Sequence, residues 1–393
     1  MTAPEDGGLR VAVTGLGIVS AAGADTAAFG RAIQEGRSAS RPALVRDEDL
    51  GGRPGPRDKV FRLAIQAATE AVAGAGLGKG RFPAGSGLVL ATSLGGALKA
   101  QSWHEALLRG GRGRRSDLLQ APLHALADHA ARRFGLDGPR SVVSNACVSG
   151  NDALGLALDM IRAGETDLVL AGGADTLHAF NSSGFASLGA VAEGPCRPFD
   201  PSRQGMMLGE AAAFLVVEAE SSARRRGASP LAELAGYGAS CDAMGVTAPD
   251  RNGEGAARAM ARALADARCR PEEVDFVSLH GVGTLFLDAM EAAAMARVFG
   301  PRVTEIPATS LRPVTGHTLG SASAVDAIAC VLALTGGFIP PTPNHRRLDS
   351  GLPSPLRVVR ELLRLPLRTA LSTSSGFGGA NSAVVLRRWD ARP

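Results

Sequence analysis

Short apolar runs closed by glycine or a polar residue alternate along the chain with stretches whose apolar positions recur every third or fourth residue. In the first part the runs predict strands over 9–14, 87–91, 141–144, 167–171 and 212–218. Between them the helical period predicts helices over 26–35, 60–75, 122–134 and 150–163, and Gly15-Leu16-Gly17 reads as a turn after the first strand. A second series follows, with strands over 231–237, 275–279, 371–374 and 383–386 and helices over 255–267, 287–299 and 321–334. Alternating strand and helix implies an α/β fold. The order of elements repeats without a low-complexity linker, so the expected organisation is two pseudo-duplicated halves packed as one unit, 1–229 and 230–393.

Composition narrows the class. A chain of 393 residues, 45% hydrophobic and 20% charged, has ample core. Its 50 glycines sit at the ends of apolar runs without a period, which excludes collagen-like and disordered readings. No stretch approaches, without interruption, the eighteen apolar residues of a membrane span, and the start, with Glu5 and Asp6, lacks the apolar core of an export signal. Five cysteines, at 147, 196, 241, 269 and 330, form no CxxC pair and no metal-ligand pattern. A reducing compartment, the cytoplasm, is expected. The net charge of +4 is a weak bias. Basic clusters at Arg112-Gly113-Arg114-Arg115 and Arg224-Arg225-Arg226 suit solvent or an acidic protein better than nucleic acid, because one Tyr and two Trp offer few stacking platforms.

Three glycine-framed polar residues carry candidate chemistry. Cys147 follows the apolar run Val142-Val143 and precedes a helix with Leu154, Leu158 and Ile161 on one face. Unpaired N–H groups and the macrodipole at a helix start favour a thiolate there. His280, in Leu279-His280-Gly281-Val282-Gly283-Thr284, ends an apolar strand, and His317, in Thr315-Gly316-His317-Thr318-Leu319-Gly320, precedes a helix of small residues. Each alone reads as a structural side chain; three at strand–helix junctions point to one site. The run Ser375-Gly376-Phe377-Gly378-Gly379-Ala380-Asn381 is either a plain hairpin or a mobile loop that brings backbone N–H groups to a ligand.

Together these motifs resemble the β-ketoacyl-acyl-carrier-protein synthases, condensing enzymes of thiolase-like fold with a layered αβαβα arrangement. The resemblance extends to Val13-Thr14-Gly15-Leu16-Gly17, Phe134-Gly135-Leu136-Asp137-Gly138-Pro139, Arg197-Pro198-Phe199-Asp200, Gly209-Glu210, Asp288 with Glu291, and Ile339-Pro340-Pro341-Thr342 with Asn344. It implies an acyltransferase that takes an acyl chain from carrier-protein pantetheine onto Cys147 and condenses it with decarboxylated malonyl-carrier protein. His280 and His317 would stabilise the developing negative charge, and the N–H groups of Cys147 and Phe377 would form the oxyanion hole. The resemblance implies a substrate-binding role for Val282, Thr284, Phe185 and Ser375, and a supporting one for Arg312, Asp326 and Phe377. No metal or soluble cofactor is implied, the substrates riding on the carrier's phosphopantetheine. The implied partners are acyl-carrier protein and a second subunit, in a homodimer or a heterodimer with a related chain, with neither nucleic acid nor membrane.

Departures from the family pattern carry information. Arg312 stands where the family has Lys and Asp326 where it has Glu, so a longer cation is expected to meet a shorter acid. Val282 replaces a pantetheine-binding Thr, Leu287 an Asn, and Ser375 a Phe, which predicts a roomier, more polar pocket mouth and a specialised, polyketide-like pathway. The rival readings are a non-catalytic chain-length-factor-like subunit and a non-decarboxylating acyltransferase of the same fold. A dinucleotide-binding reading of Gly15-Leu16-Gly17 fails, because Ser20 replaces the last glycine and no acidic residue follows at the ribose position.

Overall fold

A computed structural model of the chain describes residues 9–51, 57–78 and 82–390. The start of the chain with Glu5 and Asp6 lies outside the described residues. The first half runs β1 (Val11–Ser20), α1 (Thr26–Gln34), α2 (Lys59–Gly74), β2 (Gly87–Ala91), α3 (Ala97–Leu108), α4 (Arg115–Leu118), α5 (Leu123–Phe134) and β3 (Arg140–Val143). It continues through α6 (Ser149–Arg162), β4 (Leu168–Asp175), α7 (Ala179–Ser187), β5 (Ala211–Ala219) and α8 (Glu220–Arg225). The second half begins β6 (Ala232–Cys241), α9 (Glu254–Asp266), β7 (Phe276–Ser278), α10 (Leu285–Phe299), β8 (Pro307–Thr309), α11 (Arg312–Thr315) and α12 (Ala322–Gly336). It ends with β9 (Phe338–Ile339), β10 (Arg357–Val358), β11 (Leu363–Arg364), β12 (Thr369–Ser375) and β13 (Ala380–Arg388).

The main sheet has the order β10-β8-β7-β12-β13-β6-β1-β5-β4-β2-β3. From its middle outward each half repeats one pattern. In the first, β1, β5 and β4 pair antiparallel, then β4, β2 and β3 parallel. In the second, β6, β13 and β12 pair antiparallel, then β12, β7 and β8 parallel. The halves join where Ala12 and Val13 pair with Glu233 and Ala232. Helices α2 and α5 pack on one outer face and α9 on the other, while α6 and α12 lie between the two parts of the sheet, touching each other and strands of both. This is the layered αβαβα arrangement of a thiolase-like fold.

One sequence expectation is corrected. Gly15-Leu16-Gly17 is not a turn but the interior of β1. The glycines are there because α2 lies directly on the strand: a Cβ on Gly17 would sit 1.9 Å from the Ala67 carbonyl oxygen, and one on Gly15 2.1 Å from that of Ala71. The second half repeats the device, with Gly236 and Gly238 of β6 facing the carbonyls of Ala263 and Ala259 in α9 at 2.5 and 2.3 Å. Leu319–Gly336 passes for a membrane span by length and a mean hydropathy of 1.6, but Gly320, Ser321, Ser323 and Asp326 interrupt its apolar run, as the sequence reading has it, and 83% of it is buried inside the fold. A helix covered on every side by protein is apolar all round for the same reason as one covered by lipid. Helices α3, α4 and α7 are elements the sequence reading missed. None of the three carries a buried apolar face, so the periodic signal that marks the others is absent.

Candidate active site

Two topologically equivalent junctions meet at the centre. Cys147 lies between β3 and α6, and His317 between β8 and α12. The two helix starts come close because Gly150 has no side chain: a Cβ there would lie 2.5 Å from the Ala324 nitrogen. Ala146, just before the nucleophile, holds a left-handed backbone at φ 48°, a conformation costing an alanine roughly 1 kcal/mol. Ser149 fastens this turn, its hydroxyl donating to the Ala146 carbonyl at 2.6 Å and accepting from the Asn145 N–H at 2.7 Å.

The outcome is a contact of 2.9 Å between Cys147 Sγ and His317 Nε2. The His280 ring stands edge-on to that of His317, centroids 5.4 Å apart at 87°. All three side chains are buried. His280 is set from behind, Glu291 accepting from the N–H groups of His280 and Gly281 at 2.7 and 2.9 Å and from the Thr373 hydroxyl at 2.7 Å. Its Nδ1 lies 3.4 Å from Ser374 Oγ, which also donates to the Cys147 carbonyl at 3.0 Å.

The expected thiolate is overturned. Burial pushes the Cys147 thiol up to about 12, against the opposing pull of the Arg312 charge and of the Phe377 and Cys147 N–H groups. Cys147 precedes the first residue of α6 by two positions, and desolvation outweighs what the helix start offers. Burial likewise lowers His317 to about 3 and His280 well below its usual value, with the Arg312 charge second in both cases. The resting site thus holds a neutral thiol and two neutral imidazoles.

Arg312 and Asp326 meet as expected. The guanidinium donates through Nη1 and Nη2 to the two carboxylate oxygens at 3.0 and 2.5 Å, with both residues fully buried. A planar fork on a flat acceptor satisfies both oxygens at once.

The loop after β12 closes the site. Gly376 approaches so nearly that a Cβ would lie 3.2 Å from both the Cys147 nitrogen and the Ala146 Cβ. Phe377 packs on Phe185, ring centroids 5.6 Å apart, bringing two expected site residues together. Thr284 caps α10, accepting from the Leu287 N–H at 3.3 Å. Ser375 is buried and donates to Asn381 Oδ1 at 2.7 Å, so its hydroxyl is used inside the hairpin and does not make the mouth polar. Val282 and Leu287 are buried in the hydrophobic cluster around Phe199 and Met290.

One residue near the site was missed from sequence. Asp175 ends β4 and accepts from the Thr92 hydroxyl at 3.0 Å and from the Ser93 N–H at 2.9 Å. Burial pushes it up to about 7. Ser93 in turn accepts from the Gly320 N–H at 2.9 Å, tying the end of β2 to the turn after His317. An acidic residue closing a fully apolar strand was the available signal. Among the described residues no group of His, Cys, Asp and Glu is placed to hold a metal.

Comparison with known proteins agrees with this geometry. Residues 52–223 match the β-ketoacyl synthase N-terminal domain and residues 231–346 the C-terminal domain. Nodulation protein E of Rhizobium leguminosarum bv. trifolii is 36% identical over 406 residues, covering 96% of this chain and 99% of that protein. Among solved structures, the ishigamide ketosynthase/chain length factor superposes with a TM-score of 0.91 at 34% identity, covering 98% of this chain and 100% of that one. A type II PKS acyl-carrier protein in complex with its ketosynthase bound to the hexaketide (AntDE:AntF) gives 0.90 at 29% identity, covering 97% and 100%. The chain belongs to the β-ketoacyl synthase family.

Proposed function

We propose that Cys147, His280 and His317 perform decarboxylative condensation on carrier-bound acyl chains, and the observation that carries this reading is the 2.9 Å contact between Cys147 Sγ and His317 Nε2 beside the second neutral histidine. The thiol attacks the incoming thioester while its proton passes to His317 Nε2 and on to the departing pantetheine sulfur. In the second half-reaction the bond from the malonyl α-carbon to its carboxylate breaks, carbon dioxide leaves, and the electron pair moves onto the thioester oxygen as an enolate. Neutral imidazoles donating N–H groups stabilise that oxygen, His317 in the tautomer with its single proton on Nε2 once acylation has removed the thiol hydrogen, each such donor lowering the barrier by roughly 3–4 kcal/mol. The enolate carbon attacks the acyl-Cys147 carbonyl, whose oxygen is held by the Cys147 and Phe377 N–H groups, and collapse expels the Cys147 sulfur as a thiolate that takes up one proton from solvent to restore the resting thiol. Arg312 keeps a fixed positive charge beneath the site that opposes protonation of either histidine.

Under this reading residues 1–229 supply the nucleophile and 230–393 both histidines and the closing loop. Phe185 and Phe377 line the acyl chain, and Val282, Thr284 and Ser375 lie along the arm and mouth. The AntDE:AntF complex supports an acyl-carrier protein as partner and a polyketide-like pathway, with phosphopantetheine as the handle. The ishigamide ketosynthase/chain length factor supports a related ketosynthase-like second subunit, with a pair of identical chains as the other arrangement. Five free cysteines fit the reducing cytoplasm.

The test is to incubate the purified chain with carrier proteins bearing short, long, branched and unsaturated acyl groups and read the mass added at Cys147. Acyl mass absent from Cys147→Ala, with carbon dioxide release from malonyl-carrier protein lost in His280→Ala, is the expected result. A wild type that takes up no acyl mass would instead make it a non-catalytic partner subunit.

A further inference from the structure

A chain of polar side chains that the condensing chemistry does not use runs from the nucleophile turn into the opposite half of the fold. Asn145, two residues before Cys147, donates from Nδ2 to Asp152 Oδ2 at 2.7 Å. Asp152 lies in the first turn of α6, and its other oxygen accepts from the hydroxyl of Tyr237 in β6 at 2.8 Å. Tyr237 is the one tyrosine of the sequence. Its ring reaches Asp152 because Gly155 makes room for it: a Cβ there would lie 2.4 Å from Tyr237 Cγ. The tyrosine is itself fixed, its N–H bound by Asp266 Oδ2 at 2.9 Å, and Asp266 held by Arg162 at the end of α6 at 2.8 Å. Burial and the Asp152 charge raise the Tyr237 phenol above its ordinary value, so its hydroxyl keeps its proton and remains a donor. The Cys147 sulfur has its hydrogen-bond contact with His317 and not with these residues.

We infer that Asn145, Asp152 and Tyr237 are positioning residues that hold the peptide between Ala146 and Cys147 in the orientation that aims the Cys147 N–H at the oxyanion, an inference that rests on the condensing reading above. Ala146 is the reason a clamp is needed. Its left-handed φ of 48° is an unfavourable choice for an alanine and persists only where the surroundings fix both flanks. Downstream, the Cys147 carbonyl is held by the Ser374 hydroxyl at 3.0 Å. Upstream, Ser149 ties down the main chain of Asn145 and Ala146, and the Asn145 side chain is the remaining point of attachment. Relaxation of Ala146 would rotate the same peptide whose N–H faces the reacting oxygen. An amide donating to a carboxylate makes a charge-assisted bond, roughly twice as strong as a neutral one. Tyr237 engages the second carboxylate oxygen, which stops Asp152 from swinging away and leaves the first oxygen to Asn145.

The experiment compares a reaction at Cys147 that develops an oxyanion with one that does not. Acyl transfer from acyl-pantetheine is expected to slow roughly tenfold in Asn145→Ala and roughly threefold in Tyr237→Phe at saturating substrate, with KM unchanged, a part of the roughly hundredfold or more lost when an oxyanion donor is removed. Alkylation of Cys147 by iodoacetamide, a displacement without an oxyanion, should keep its wild-type rate in both. Adding Tyr237→Phe to Asn145→Ala should cost nothing further, since the hydroxyl acts only through Asp152 on Asn145. Asp152→Ala should match Asn145→Ala, while Asp152→Asn, whose amide can meet a turned Asn145 amide, should recover most of the rate. Equal losses in acyl transfer and alkylation overturn the proposal, as do additive losses in the double variant or an unchanged acyl-transfer rate in Asn145→Ala. Should Asn145→Ala fail to fold, the ratio of the two rates in Tyr237→Phe, which removes a single oxygen atom, decides by the same criterion. A wild type that is alkylated but accepts no acyl group overturns the condensing reading itself, a separate outcome.

Discussion

Arg312 donates from both terminal nitrogens to the two oxygens of Asp326, in a part of the fold closed to solvent. Lengthening one partner and shortening the other preserves the span between the backbones, but a fork cannot be exchanged for a point charge without loss. Arg312→Lys is expected to leave one carboxylate oxygen unanswered and cost roughly 1–3 kcal/mol. Asp326→Ala, which strands a buried cation, should cost about 3–5 kcal/mol. Denaturant unfolding measures both, and a double change to Lys and Glu should recover much of the loss. Full stability and activity in Arg312→Lys alone would remove the support for this pairing.

The buried histidines set the acid limb of stability. Their folded pKa values lie below the ordinary value of 6.5, at about 3 for His317 and well below for His280. Under acid the unfolded chain therefore binds protons that the folded chain refuses. Stability is fully present above about pH 6.5 and falls as pH drops toward 3, by up to about 1.4 kcal/mol per unit for each group. His317→Asn should make the unfolding free energy shallower with pH over that window. An unchanged slope would mean the imidazole is protonated in the native site.

The raised thiol predicts an unusual alkylation profile. With Cys147 pushed up to about 12, its modification by iodoacetamide should still be climbing at pH 9, where a thiol activated at a helix start would have levelled off. Mass spectrometry of the Cys147 peptide against pH gives the curve. A plateau below pH 8 would show that a thiolate is present at rest.

Gly17 and Gly238 should behave alike. Alanine at either position drives a methyl group into a helix carbonyl, at 1.9 Å from Ala67 in one half and 2.3 Å from Ala259 in the other. Either substitution is expected to cost at least about 3 kcal/mol or to prevent folding. Soluble expression and thermal unfolding report it, and Gly164→Ala, with nothing within 4 Å, separates crowding from backbone strain since its φ of 75° carries only the latter.

What the sequence revealed follows what each element buries. Elements with one or more faces covered carry a strong apolar signal, periodic in α9 and continuous in β2 and α12, and these three were read within a few residues. Helices α3, α4 and α7 lack a buried apolar face and gave no such signal. Gly15 and Gly17 were misread because a glycine demanded by a helix overhead looks, in one dimension, like one demanded by a bend. At the site the glycine framing of Cys147, His280 and His317 was visible. The protonation state was not, since it depends on how completely distant segments exclude water. Asp175 escaped notice for a similar reason, its partners Thr92 and Ser93 lying far off in the chain, just after β2.

The close crossing of α6 and α12 at Gly150 has a consequence for how this reaction can be tuned. The nucleophile rides on one helix start and its proton acceptor on the other, so the gap between them is a property of how two copies of one ancestral-looking unit are spaced, set by a missing methyl group. Widening that crossing would lengthen the thiol-to-imidazole distance without touching either reacting side chain. The spacing of the central helices is thus a dial on proton transfer, one that leaves the acyl pocket and its choice of chain alone.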